Sequence, residues 1–177
     1  NVKIISKIET LNSFLRSIPN LHTVVFDQTA ATDNVVDFSY MFYNLKSLYN
    51  LDIRYFNTSK ATSFAHMFEH SGSLEYLDIS HFDTSNVFDM SLLCANSPYI
   101  EYVKMPNNIT VVHPRANMDG LFMNNERMKC IDKISTLNAE SKNNIFYRCN
   151  NLVYPEPQDI IAIETVGSVW INDRNCP

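Results

Sequence analysis

The chain repeats itself about every 26 residues. The clearest pair sets Leu48-Tyr49-Asn50-Leu51-Asp52-Ile53-Arg54-Tyr55-Phe56-Asn57-Thr58-Ser59 against Leu74-Glu75-Tyr76-Leu77-Asp78-Ile79-Ser80-His81-Phe82-Asp83-Thr84-Ser85. The shared pattern is L-x-x-L-D-I-x-x-F-[ND]-T-S. A fixed period of this length means that one small unit stacks on its neighbours to build a continuous core. Such architectures offer an extended binding face more often than a catalytic pocket.

The frame extends both ways. The leading apolar residue of each unit is Leu21, Leu48, Leu74, Ile100, Met128 and Leu152, at spacings of 27, 26, 26, 28 and 24. Seven residues before each lies a bulky pair: Phe14-Leu15, Met41-Phe42, Met67-Phe68, Leu93-Cys94, Leu121-Phe122 and Ile145-Phe146. Phe38, Phe64, Met90 and Met118 stand three residues earlier still. The i, i+3, i+4 spacing predicts a short helical turn with one buried stripe. The L-x-x-L-D-I segment alternates, so Leu51 and Ile53 face one side while Asn50 and Asp52 face the other. Each unit therefore reads as strand, turn and short helix, with F-[ND]-T-S in the turn satisfying local backbone groups. The expected fold is an α/β solenoid of about six strand-turn-helix repeats in one domain spanning 1–177.

The ends depart from the pattern. Residues 1–20 start with Asn1-Val2-Lys3-Ile4-Ile5, followed by Ile8, Leu11, Phe14, Leu15 and Ile18 at helical spacing before Pro19. This predicts a strand-and-helix cap on repeats occupying 21–157. Residues 158–177 carry Ile160–Ile163 and Val166–Ile171 around Gly167, which predicts a hairpin-like cap. Caps are expected because an open end exposes core and strand edges.

Composition removes several functions. Only three glycines are present, too few for a glycine-rich phosphate loop. The net charge is −5 with no dense Lys/Arg run, a poor match to nucleic acid or to an anionic membrane. No apolar run reaches the roughly 18 residues that cross a bilayer, so membrane insertion is not expected. The first residue is Asn1, which fits a processed chain or one whose signal peptide has been removed. His66 and His70 flank Glu69, but H-M-F-E-H is not the H-E-x-x-H zinc signature, and exposed polar residues are the expected reading. No nucleophile elbow or paired acid and base is visible, so neither an enzyme nor a cofactor is expected.

The cysteines are Cys94, Cys130, Cys149 and Cys176, with no C-x-x-C spacing. Cys94 replaces the Phe of a bulky pair and reads as a core thiol. Cys130 sits at an outward strand position. In an exported protein, a disulfide from the terminal cap to Cys149 or Cys130 is expected; otherwise all four are free thiols.

The L-D-[IL]-x-x-F-[ND]-T-S and M-F-x-x-[SC] elements resemble the BspA-like leucine-rich repeats, also described as the Mycoplasma-type lipoprotein 25-residue repeat. The match is strong over Asp37–Met105, includes Phe82-Asp83-Thr84-Ser85-Asn86-Val87 and Ile145-Phe146-Tyr147-Arg148-Cys149, and weakens over 106–151. The resemblance implies a leucine-rich-repeat-like, right-handed form of the solenoid. It also implies a secreted or cell-surface protein engaged in adhesion or host interaction.

Two outward columns carry the candidate site. The third strand position reads Thr23, Asn50, Tyr76, Tyr102, Cys130, Tyr154, and the fifth reads Val25, Asp52, Asp78, Lys104, Asp132, Glu156. Tyrosine buries much area with few rotamers and keeps a hydroxyl, which suits recognition. The expected binding residues are Asn50, Asp52, Tyr76, Asp78, Tyr102, Lys104 and Tyr154, and the expected partner is a protein or glycan on another cell. The competing reading is that the tyrosines stabilise a sheet and the acids are hydrated. A second functional expectation is a structural subunit, such as the head of a fibre, pilus or multidomain adhesin, docking through its ends.

Overall fold

A computed structural model describes residues 8–107, 113–137, 139–171 and 176. The strand expected at Asn1–Ile5 lies outside them. The strands are short: β1 Thr23–Val25, β2 Asn50–Asp52, β3 Tyr76–Asp78, β4 Tyr102–Lys104, β5 Cys130–Ile131, β6 Lys133–Ser135 and β7 Val169–Ile171. Among the described residues they form three separate small sheets, β1-β2, β3-β4-β5 and β6-β7. Pairing is parallel in the first two and antiparallel in the last.

The strand-turn-helix solenoid is not formed, nor is the leucine-rich-repeat architecture implied by the resemblance. Among the described residues, the helical segments are one short α-helix, α1 Pro157–Ile161, and the π-helical Ala162–Val166 that continues it. The segments expected to be helical are tight turns instead. The reason is backbone conformation. Each holds two residues at positive φ, four apart: Ser13 and Ser17, Tyr40 and Asn44, His66 and His70, Leu92 and Asn96, Gly120 and Asn124, Asn144 and Arg148. In Phe38–Met41, for example, Met41 N–H donates to Phe38 O and the third residue, Tyr40, has φ 58°. A four-residue turn with positive φ at its third position is a type II turn, not a helix. The first such segment, Leu11–Ser17, takes the place of the expected capping helix.

The turn geometry redirects the hydrogen bonds. In the second segment, Phe38, Tyr40, Phe42 and Asn44 donate N–H to the carbonyls of Ser63, Ala65, Met67 and Glu69, one repeat ahead. Leu11, Ser13, Leu15 and Ser17 do the same to Asp37, Ser39, Met41 and Tyr43, and Met118, Gly120, Phe122 and Asn124 to Ser141, Asn143, Ile145 and Tyr147. Parallel bridges link Thr10, Asp37, Ser63, Asp89, Asn117 and Ser141 in succession. A helix would spend these groups on itself. Here they join one repeat to the next.

The buried stripe nevertheless matches the sequence pattern. Phe38, Met41, Phe42, Leu45, Phe64, Met67, Phe68, Leu93, Cys94, Met118, Leu121 and Phe122 are all buried in one core. The Phe42 and Phe68 rings stack at 5.5 Å, and Phe26 meets Phe56 edge-on at 4.8 Å. Phe14 is the exception, exposed at the first repeat. Thr58 of F-[ND]-T-S, and Thr32 at the equivalent position one repeat earlier, act between repeats rather than locally, whereas Thr84 Oγ1 is buried without a hydrogen-bond partner among the described residues. Asp83 N–H donates to Thr58 Oγ1 at 2.7 Å, and Asn57 N–H to Thr32 Oγ1 at 2.7 Å.

The C-terminal hairpin is also replaced. After α1 and the π-helical turn, Gly167 at φ 83° lets the chain return, and β7 pairs with β6 rather than with a strand of its own cap. Ile163 is fully buried beneath it. Cys176 is bonded to Cys130, which is buried on β5 rather than outward. Cys149 and Cys94 are free, buried thiols, and Cys149 Sγ donates to Phe122 O at 3.1 Å.

Gly120 is where the turn geometry is most exposed to test. It has φ 62°, and a Cβ there would lie 2.7 Å from Leu92 Cδ2. Gly120→Ala is expected to destabilise the fold by about 1–3 kcal/mol, from left-handed strain and overpacking. Urea denaturation followed by circular dichroism measures this; an unchanged midpoint would contradict the turn assignment.

Candidate functional site

The two strand columns exist, but they are interrupted. Thr23 pairs with Asn50 and Val25 with Asp52. Tyr76 pairs with Tyr102, Asp78 with Lys104, and the row continues through Cys130 to Tyr154. Among the described residues, there is no pairing between β2 and β3. Elsewhere Glu101 and Tyr102 donate N–H to Glu75 O, and Ile79 donates to Lys104 O. The matching bonds, Glu75 and Tyr76 N–H to Tyr49 O and Ile53 N–H to Asp78 O, are not made among the described residues. Backbone groups so released need solvent or a ligand as partner.

A cleft of about 630 Å³ opens at this break, lined by Val25, Asn50–Arg54, Tyr76, Asp78, Ser80 and His81. Its volume lies within the roughly 300–1,000 Å³ of small-molecule sites. Of the residues expected from sequence, Asn50, Asp52, Tyr76 and Asp78 line it. Lys104 reaches Asp78 at 3.5 Å from the next strand. Tyr102 lies beside Tyr76 under the ammonium of Lys129, 5.5 Å from its ring centroid. Tyr154 is two strands further on and does not join the cleft. Arg54, Ser80 and His81 were not legible as site residues. They occupy the two variable positions of L-D-I-x-x-F, where the best-matched repeats differ.

The charges are compensated. Arg54 Nε donates to Asp52 Oδ1 at 2.8 Å, and this bond holds the Asp52 carboxyl below its ordinary pKa. Burial pushes Asp78 upward, but hydrogen bonds from Ser80 and the charge of Lys104 outweigh it, leaving its pKa lowered. Each Asp Oδ1 also accepts the backbone N–H two residues on, from Arg54 at 3.3 Å and from Ser80 at 2.9 Å. The repeated Asp thus closes the turn after its strand. Burial raises the Tyr76 pKa, helped by the nearby Asp78 charge. The Tyr76 hydroxyl donates to Asp78 Oδ2 at 3.4 Å.

His81 bridges the break. Its Nε2 lies 2.9 Å from Ile53 O, and a carbonyl only accepts, so Nε2 carries the proton. Burial lowers its pKa, against the opposing pull of the Ile53 carbonyl and of Asp78 and Asp52.

His66 and His70 are elsewhere, on the turn segments. His66 Nδ1 lies 2.6 Å from Glu69 Oε2 and its ring stacks on Tyr40 at 4.4 Å. Glu69 is buried and also accepts from Asn96 Nδ2 at 2.8 Å. Among the described residues, no group of three His, Cys, Asp or Glu side chains is placed to hold a metal. No helix there is long and apolar enough to cross a membrane.

A family model described as "Mycoplasma protein of unknown function, DUF285" matches residues 9–128. The chain belongs to this DUF285 family. The matched span takes in the five left-handed turn segments from Leu11 to Asn124 and both walls of the cleft. No curated protein and no solved structure matches the chain.

The pKa directions set the pH response. His81 has a folded-state pKa below 6.5, so acidification through about 6.5 protonates the unfolded chain first and stability falls. Asp52 and Asp78 have folded pKa values below 3.8, so their contribution is present above that value and lost beneath it. Both effects destabilise toward acid. His81→Gln keeps a donor for Ile53 O and is expected to lose less melting temperature between pH 7 and about pH 5 than the unaltered chain. Equal losses would contradict the placement of His81.

Proposed function

We propose that this DUF285 chain is a non-enzymatic recognition domain, secreted or displayed at a cell surface, that binds a protein or glycan on another cell. The observation that carries this reading is the β2–β3 cleft, where released backbone edges, compensated carboxylates and the half-exposed Tyr76 converge. The Cys130–Cys176 disulfide supports an exported protein, because such bonds persist in oxidising compartments. The likeness of the repeat signature to BspA-like surface proteins favours the same location. Tyr102 and Lys104 extend the face beyond the cleft.

A second reading has its own observation. Val153, Ile161, Val166, Val169 and Ile171 are exposed toward the C-terminal end, with Val166 at 84%. A subunit docking through its end would cover them.

The two readings separate by mutation. Tyr76→Ala with Tyr102→Ala is expected to lower binding to cultured cells at least about tenfold while circular dichroism stays unchanged. Val166→Lys with Ile171→Lys leaves that binding intact. Deleting 158–177 is a poorer test, since it removes buried Ile163 and strand β7. If the lysine pair loses partner binding and the tyrosine pair does not, the end carries the function.

A further inference from the structure

We infer that the ligand of the β2–β3 cleft is a neutral saccharide, one or two sugar units held between the split strands; this rests on the recognition reading above. Three features select that chemistry.

The first is shape. A groove for an extended peptide needs its two edges about 9–10 Å apart, two strand spacings, so that a third strand can enter. The cleft is pinned at both flanks. Ser73 Oγ donates to Lys46 O at 2.9 Å on one side, and Asp83 N–H to Thr58 Oγ1 at 2.7 Å on the other. His81 spans the break to Ile53 O at 2.9 Å. The parallel bridge Asp37–Ser63 joins the same two repeats on their other ladder. No strand can thread through, whereas a compact ligand can enter from the open face.

The second is charge. Asp52 is paired with Arg54, and Asp78 lies 3.5 Å from Lys104. Each acid is matched by a base, so the cleft carries little net charge to draw in a cation or an anion. A hydroxyl-rich neutral ligand needs no such field, because each carboxylate keeps acceptor capacity and each base keeps donors. The backbone edges supply both signs of hydrogen bond as well, N–H of Ile53, Glu75 and Tyr76 and C=O of Tyr49 and Asp78. The neutral His81 ring adds Nδ1 as an acceptor. Sugar hydroxyls donate and accept together, which suits such a mixed lining.

The third is the ring of Tyr76. It is 52% exposed at the cleft wall and, among the described residues, stacks on no other ring or cation. A flat apolar face beside polar groups matches a pyranose, which shows C–H on its face and hydroxyls at its rim.

The test uses the full chain and four probes: the methyl glycosides of glucose, galactose, mannose and N-acetylglucosamine. NMR titration is expected to show at least one of them shifting the amides of Ile53, Glu75 and Tyr76, with affinity of about millimolar for so small a ligand. Asp52→Ala and Tyr76→Ala weaken it about tenfold each, and Phe88→Ala, exposed away from the cleft, leaves it unchanged. In parallel, binding of the unaltered chain to cultured cells is expected to be lost after periodate, which cleaves vicinal diols. Cell binding lost to protease but not to periodate, with no glycoside shift, overturns the saccharide and leaves the recognition reading standing with a protein partner. Shifts confined to residues outside the cleft also overturn it. Cell binding that Tyr76→Ala with Tyr102→Ala leaves intact overturns the recognition site itself.

Discussion

The structure depends on a choice made every repeat about where backbone N–H groups point. In the first five turn segments, alternate N–H groups close a local turn while the others cross to the next repeat. The crossing pattern requires two residues at positive φ per segment. Outside glycine, left-handed backbone costs roughly 1–2 kcal/mol per residue, less for Asn. Four crossing bonds of about 1 kcal/mol net each offset that cost without exceeding it by much. What favours the stack is therefore the burial it permits. Phe38, Met41, Phe42, Leu45 and Leu48 all reach the core from one repeat, and each large apolar side chain contributes about 1.5–3 kcal/mol. The positions also show economy. Asn fills the second left-handed site at Asn44, Asn96 and Asn124, and the one glycine among them, Gly120, leaves room for the Leu92 side chain.

With the turn ladder continuous, the strand ladder is free to break. Asp37 bridges Ser63 while β2 and β3 stay unpaired. The two repeats are held on the turn ladder and at both flanks of the strands but left unpaired along β2 and β3, and the cleft lies in that gap. Its walls are fixed by the same Asp that closes each strand's turn: Asp52 takes both the backbone N–H and the Nε of Arg54 on Oδ1, and Asp78 takes the Ser80 N–H on Oδ1 and faces Lys104 with Oδ2. The structural and the binding readings of the acidic column are thus not alternatives at these two positions.

The period, the buried stripe and the outward columns were legible in the sequence because they depend only on which residues are apolar and how far apart they stand. The backbone of the turn segments was not. The stripe Phe38, Met41, Phe42 has the same i, i+3, i+4 spacing in a helix and in this turn, and Tyr40, His66 and Leu92 give no sign of their positive φ. The break was hidden more deeply. It falls between the two repeats most alike in sequence, which differ in the cleft at Asn50 against Tyr76 and Arg54 against Ser80, while His81 lines it and its counterpart Tyr55 does not. Cys130 was readable as a disulfide candidate but not as buried, because strand alternation places it outward and the bond to Cys176 covers it.

Native-state hydrogen exchange tests the central claim most directly, that the turn ladder runs unbroken past a split strand ladder. The amides of Phe38, Tyr40, Phe42 and Asn44 should be strongly protected, as should Glu101 and Ile79 in the paired strands. Those of Ile53, Glu75 and Tyr76 should exchange fast despite their equivalent positions. Equal protection of Glu75 and Glu101 would mean that the sheet is continuous and the cleft absent.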